Sequence, residues 1–253
     1  MRALITNDDG IRSEGLHRLA LAAKSLGLDV IVAAPSWDSS GASASLTAVQ
    51  SEGRVLVHAE DVAGLKGDTV LGVEAAPAFI VRAAVSGAFG DPPHIVLSGV
   101  NNGPNTGHSV LHSGTVGAAL TASTYAVPSA AFSIGADDAP QWDTAVRVAC
   151  AVIEWLTTAG PGVVLNVNIP NVAPDKLRGL VPATLASFGA VQTNVTEIGK
   201  GYVKLSYTDL DAELEPGTDA AAIADGYATI TPLVAVSEAT AVDLAGLGMM
   251  QLH

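Results

Sequence analysis

A series of short, mainly apolar runs recurs along the chain: RALIT at 2–6, DVIVAA at 29–34, HIVLS at 94–98, SAAFS at 129–133 and VVLNVNI at 163–169. Strands apolar on both faces must be covered on both faces, and that is the condition of a mainly parallel sheet sandwiched by helices. Helical spacing fills the intervals. Leu16, Leu19, Ala20 and Ala23 share one face of a predicted helix over 14–26, with Gly27 as its stop. The unit strand–helix–strand over 2–34 predicts a parallel pair with a right-handed crossover. Further helices are predicted at 77–86, 116–125 and 144–156. The fold class read from this alternation is α/β, a mostly parallel sheet with helices on both faces.

Beyond about residue 170 the pattern changes. Residues 202–208 (YVKLSYT) and 227–233 (YATITPL) alternate as strands with one wet face, around an acidic stretch at 209–219. The expectation is one domain, 1–253, with a core over roughly 1–170 and a β-rich extension over roughly 171–253 used in oligomer contact. No internal repeat or low-complexity linker interrupts it.

Charge and cysteine content narrow the functions open to this fold. The net charge of -13 repels nucleic acid polymers and anionic membranes, so neither is expected as a partner. A small phosphate ester stays open, because a bound cation reverses the local field. Cys150 is the single cysteine, expected buried and inert, which excludes an internal disulfide and fits a reducing compartment. Residues 95–136 contain no Asp, Glu, Lys or Arg, yet their Asn, Ser and Thr content is too polar for a membrane span. The start of the chain reads as a strand and not as a signal peptide, so the expectation is a soluble cytoplasmic protein.

In parallel sheets, ligands sit beyond the carboxyl ends of the strands. There the sequence places Asn7-Asp8-Asp9-Gly10, then Ser36 to Ser43, then Gly99 to Asn105, then His112-Ser113-Gly114-Thr115. These loops are rich in oxygen ligands and poor in Lys and Arg. Adjacent carboxylates with neutral Ser and Asn oxygens suit a hard cation such as Mg²⁺ or Mn²⁺. Ser-Gly-Thr ahead of a helix aims N–H groups and hydroxyls at an anion. Each motif alone is commonly a turn or a helix cap. Their joint placement on successive strand ends describes a metal-assisted phosphate site. A dinucleotide oxidoreductase is disfavoured, since Asn-Asp-Asp-Gly stands where a glycine-rich turn is needed.

The stretches TNDDG (6–10), AP with SGAS (34–35, 40–43), SLT (45–47), SGVNNGPNTG (98–107), VLHSGTVGAA (110–119), LNVNIP (165–170) and GYATITPL (226–233) together resemble the SurE (survival protein E) family of nucleotidases. The resemblance implies a Rossmann-like core with a C-terminal extension that builds homodimers or homotetramers. It implies a divalent-metal-dependent phosphomonoesterase, one Mg²⁺ or Mn²⁺ per subunit, acting on nucleoside monophosphates. By motif position Asp8, Asp9, Ser40 and Asn101 would hold the metal, and Asn105, Ser113, Gly114 and Thr115 would face the phosphate. Asp8 and Asp9 would carry the catalysis, with Asp8 orienting or deprotonating the attacking water. His108, His112 or water would protonate the leaving alkoxide, and both histidines are equally at home on the surface.

Several positions depart from the family pattern. Ala44 stands between the SGAS and SLT elements, His108 follows GPN-x-G, the 75–81 segment lacks an Asp, and Ser36 and Trp37 follow Pro35. Trp37 reads either as a stacking platform for a base or as a packed loop aromatic. These changes keep open a phosphatase for another small phosphate ester, and a non-catalytic nucleotide-binding or assembly protein.

Overall fold

The computed structural model describes residues 1–187, 191–199, 202–209, 214–239 and 241, with 191–199 and 202–209 given by their backbone. Its strands are β1 (Arg2–Thr6), β2 (Asp29–Pro35), β3 (Gln50–Ser51), β4 (Arg54–Val55), β5 (Val57–Ala59), β6 (Thr69–Val73), β7 (Ile95–Asn102), β8 (Ser129–Ile134), β9 (Val164–Ile169), β10 (Leu180–Pro182), β11 (Val191–Gly199), β12 (Tyr202–Asp209) and β13 (Ala228–Leu233). Its α-helices are α1 (Glu14–Ser25), α2 (Pro77–Val85), α3 (Gly114–Ser123), α4 (Trp142–Leu156) and α5 (Asp219–Ala224).

Among the described residues the main sheet has nine strands in the order β10-β13-β9-β8-β7-β1-β2-β6-β5. β1 pairs in parallel with β2 on one side and β7 on the other. The chain winds outward through β2 and β6, then returns to β7 and winds the other way. The gap between β1 and β7 is therefore the topological switch point, where the loops leaving the strands part and open a crevice.

Alternation along the strands divides the core into two layers. Ala3 and Ile5 of β1 and Phe132 of β8 face α1 and α4, in one cluster with Leu16, Leu19, Val148 and Ile153. Leu4 faces the other way, with Ile31 and Val96, against Ile80 and Val81 of α2 and Ala118 and Ala122 of α3. Full burial of each large aliphatic or aromatic side chain stabilises the fold by about 1.5–3 kcal/mol. Helix ends follow local chemistry. Ser13 caps α1 by accepting from Leu16 N, and Gly27, at φ 78, stops it.

The stretch after residue 170 is divided between two places. β13 runs antiparallel to β9, and β10 runs parallel to β13, so both extend the main sheet. β11 and β12 form a separate antiparallel pair with a bulge between Val195 and Glu197. The acidic stretch read at 209–219 lies partly outside the described residues, and Thr218 caps α5 at its end. Strands β3 to β6 are not predicted by the sequence pattern. β5 is exposed along its length and shows no apolar pattern to read. Cys150 is half-buried rather than buried, and burial pushes its thiol up. No helix among the described residues is long and apolar enough to cross a membrane.

All the loops that carry the predicted site residues leave the same rim of the sheet. The helices hand back to the strands at the opposite rim, through 26–28, 86–94, 124–128 and 157–163.

Candidate functional site

β1 delivers Asp8 and Asp9 straight to the switch point. Asp8 is buried at 4% exposure, against the start of α3. Its Oδ1 accepts a short hydrogen bond from the Thr115 hydroxyl, and its carboxylate also accepts from the Thr115 backbone N–H. A negative charge at a helix N-terminus is favoured by the unpaired N–H groups there. Gly114 makes the approach possible, because a Cβ at that position would lie 2.7 Å from Asp8 Oδ2. Burial outweighs these donors, so the Asp8 carboxyl is raised above its ordinary value.

Asp9 is pushed up to about 7, by burial first and then by the charges of Asp8 and Asp38, against one stabilising bond from the Asn102 N–H. That bond crosses the switch point from β7 to β1. β7 bulges between Ser98 and Asn101 relative to β8, adding a residue at the point where the strand reaches the crevice. Asn101 lies there half-buried, its amide donating to Gly103 O at 2.7 Å. Asn102 is pinned by its amide to Asp137 O at 2.9 Å.

The loop after β2 packs beside Asp8. Ser39 N donates to Asp8 O at 2.7 Å. The Ser40 hydroxyl donates to Asp38 Oδ1 at 2.6 Å, and Ser40 N donates to the same oxygen at 2.9 Å. The Ser40 proton is thus directed at Asp38, leaving lone pairs on its oxygen. Asp38 belongs to the oxygen-rich loop after β2 but is not among the predicted site residues, yet its charge is felt by both Asp8 and Asp9.

Asn105 is fixed by strands deeper in the sheet. Its N–H donates to Asn168 Oδ1 at 2.8 Å, and its carbonyl accepts from Asn166 and Asn168 at 2.8 and 2.9 Å. Its own amide donates to Ser133 Oγ at 2.8 Å. Asn166 and Asn168 are fully buried amides on a strand otherwise apolar. Sequence reading placed them only inside a strand; the alternation N-V-N in LNVNIP was the available signal, setting both amides on one face. Ser113 caps α3 by accepting from Val116 N at 3.1 Å. His108 and His112 are exposed, and His108 lies near Glu215.

The structure brings the loops of Asp8 and Asp9, Ser40, Asn101 and Thr115 to one crevice, with Asn105 held alongside by β8 and β9. Two cavities flank it. One of 340 Å³ is lined by Asp9, Asn102, Asp138 and Trp142. The other, of 440 Å³, is lined by Trp37, Ser39, Ser40 and Thr47. Both fall in the range of roughly 300–1,000 Å³ common for small ligands. A larger cavity of 530 Å³ lies behind Arg12, His17 and Glu60, and contains none of the predicted site residues.

The donor set fits a hard cation. Asp8 and Asp9 are both raised, in part by the nearby charge of Asp38, and a divalent ion among them would reverse that effect. The Asn7 Oδ1 atom, next to them, is buried without a partner. Among the described residues no cluster of three or more His, Cys, Asp or Glu is arranged to hold a metal, so Ser and Asn oxygens would complete any shell.

Fold and site together define a doubly wound α/β protein with an acidic, oxygen-lined site at the switch point of its sheet. The chain belongs to the SurE family: the sequence profile described as "Survival protein SurE" matches residues 3–191. It is 36% identical over 243 residues to "5'-nucleotidase SurE" of Chelativorans sp. (strain BNC1), covering 92% of this chain and 93% of that protein. It is 33% identical over 238 residues to "5'/3'-nucleotidase SurE" of Escherichia coli O127:H6, covering 92% and 90%. Among solved structures it is similar to the SurE protein from Aquifex aeolicus, at a TM-score of 0.78 and 29% identity, over 94% of this chain and 95% of the other.

Proposed function

We propose that this chain is a phosphomonoesterase, dependent on a divalent metal, that hydrolyses nucleoside monophosphates to nucleoside and phosphate. The observation that carries the reading is the pair of buried Asp8 and half-buried Asp9 at the switch point, with the start of α3 against Asp8. The relatives named as 5'-nucleotidases support the same chemistry and substrate class.

Asp8, Asp9, Ser40 and Asn101 would hold one Mg²⁺ or Mn²⁺ per subunit, and the bound ion supplies positive charge against the phosphoryl oxygens. The segment Ser113, Gly114 and Thr115, with Asn105, binds and orients those oxygens. The Thr115 hydroxyl holds Asp8 in one orientation. Asp8 directs the attacking water and takes its proton as the new P–O bond forms and the ester P–O bond breaks. The leaving alkoxide takes a proton from solvent, His108 or His112. The subunit reading is a homodimer or homotetramer, supported by the β11–β12 pair standing outside the main sheet.

The test is phosphate release from nucleoside 5′- and 3′-monophosphates and an aryl phosphate, with Mn²⁺, Mg²⁺ or EDTA. Release should require metal. Asp8→Asn should lose more than the roughly 10–100-fold typical when a metal loses an outer partner. Release from the aryl phosphate alone would move the substrate to another phosphate ester. No release under any metal would sink the enzyme reading in favour of a binding protein.

A further inference from the structure

We propose that Asp219 is a positioning residue for the phosphate-binding segment 105–115, acting from the C-terminal part of the chain. The inference rests on the phosphomonoesterase reading above and assigns a role to a buried carboxylate which that mechanism leaves unused.

Asp219 is fully buried. Its carboxylate receives backbone N–H groups from three segments. Oδ2 accepts from Gly107 at 2.9 Å, and Oδ1 accepts from Ala186 at 3.0 Å and Ala220 at 2.9 Å. Among the described residues it joins no ion pair. A buried carboxylate without a cation is expensive, and hydrogen bonds to its charged form are what sustain it. Only an acceptor on every side serves all three donors. An Asn would turn its NH₂ toward an N–H.

The bond to Gly107 reaches across 112 residues of sequence, and its target lies inside the segment in question. Asn105, two residues earlier, is held by Asn166 and Asn168. Gly107 opens the 3₁₀ turn Gly107–His112, which runs directly into the Ser113 cap of α3. The segment is therefore anchored at its front by β9, at its end by α3, and between them by Asp219. Without that acceptor, the buried Gly107 N–H is unpaired and the segment loses its middle anchor. Asp8 and Asp9 come from β1, and the one residue of the segment bonded to Asp8, Thr115, lies in the first turn of α3 and is held there by the helix, not by Asp219.

The experiment measures binding of inorganic phosphate in the presence of saturating Mn²⁺, and of Mn²⁺ alone, by calorimetry well below the melting temperature of each variant. Asp219→Asn should weaken phosphate binding about tenfold, or about 1.4 kcal/mol. It should leave Mn²⁺ affinity unchanged. Thr218→Ala is the control: it removes the α5 cap, whose hydroxyl accepts from Ala221 N and donates to Glu215 O, and leaves the carboxylate in place. It should lower the melting temperature and leave phosphate binding alone. Equal phosphate affinity in Asp219→Asn, with only the melting temperature lowered, would make Asp219 a structural clamp and overturn the inference. If Asp219→Asn does not fold, hydrogen exchange on the unmutated chain replaces it. Phosphate with Mn²⁺ should slow exchange at 105–115 and at Ala186 and Ala220 together, and slowing confined to 105–115 overturns the inference. Failure of the unmutated chain to bind phosphate would instead overturn the phosphomonoesterase reading, and this inference with it.

Discussion

Asp8 and Asp9 are neighbours in sequence but answer to different parts of the fold, one to α3 and the other to β7. Their proximity in the chain made them legible, since two adjacent carboxylates after an apolar strand demand compensation. Asp38 was legible only as one oxygen among several in the loop after β2, and packing alone brings its charge to Asp8 and Asp9. Nor was Asp219, an ordinary helix-start aspartate until its contact with Gly107 is seen. Asp9 yields a pH prediction. The folded chain holds its proton up to about 7, while the unfolded chain releases it near the ordinary 3.8. Between those values the folded state binds more protons, so rising pH removes stability from the metal-free chain. Asp8, also raised, acts in the same direction. In EDTA the chain should therefore melt at higher temperature near pH 5 than near pH 8, all else equal, and Asp9→Asn should narrow the difference. An unchanged difference in that variant would remove Asp9 as its source.

At the scale of elements, α3 joins the halves of the site. Its start touches Asp8, and its Gly117 lies so close to the loop after β2 that a Cβ there would clash with the Ser43 carbonyl. Ser43 Oγ also donates to Leu111 O at 2.6 Å. Gly117→Ala should displace the Ser40 loop, destabilise the chain by about 1–3 kcal/mol as overpacking does, and cut phosphate release. Thermal unfolding and the release assay check both, and full activity with lowered stability would uncouple the loop from α3. The parallel strands and their helices were legible because burial on both faces leaves continuous apolar runs. β13 was legible as a strand but not as part of the main sheet. Its alternation shows one wet face, and nothing local tells it which strand to join. β5, exposed throughout, leaves no signal at all.

For the whole molecule, the decisive fact is that every predicted site residue leaves one rim of the sheet. The opposite rim carries the helix-to-strand returns, among them the exposed Gly160 and Pro161 after α4. Exposed turns of this kind are where inserted chain is tolerated. A short Gly/Ser peptide placed after Gly160 should leave metal-dependent phosphate release within about twofold and shift melting only slightly. A large loss of release would show that the rims are coupled. The division gives the molecule a front and a back. A fluorophore, an affinity handle or a second folded unit attached at the back would leave the acidic mouth facing outward, away from whatever surface the chain is tethered to.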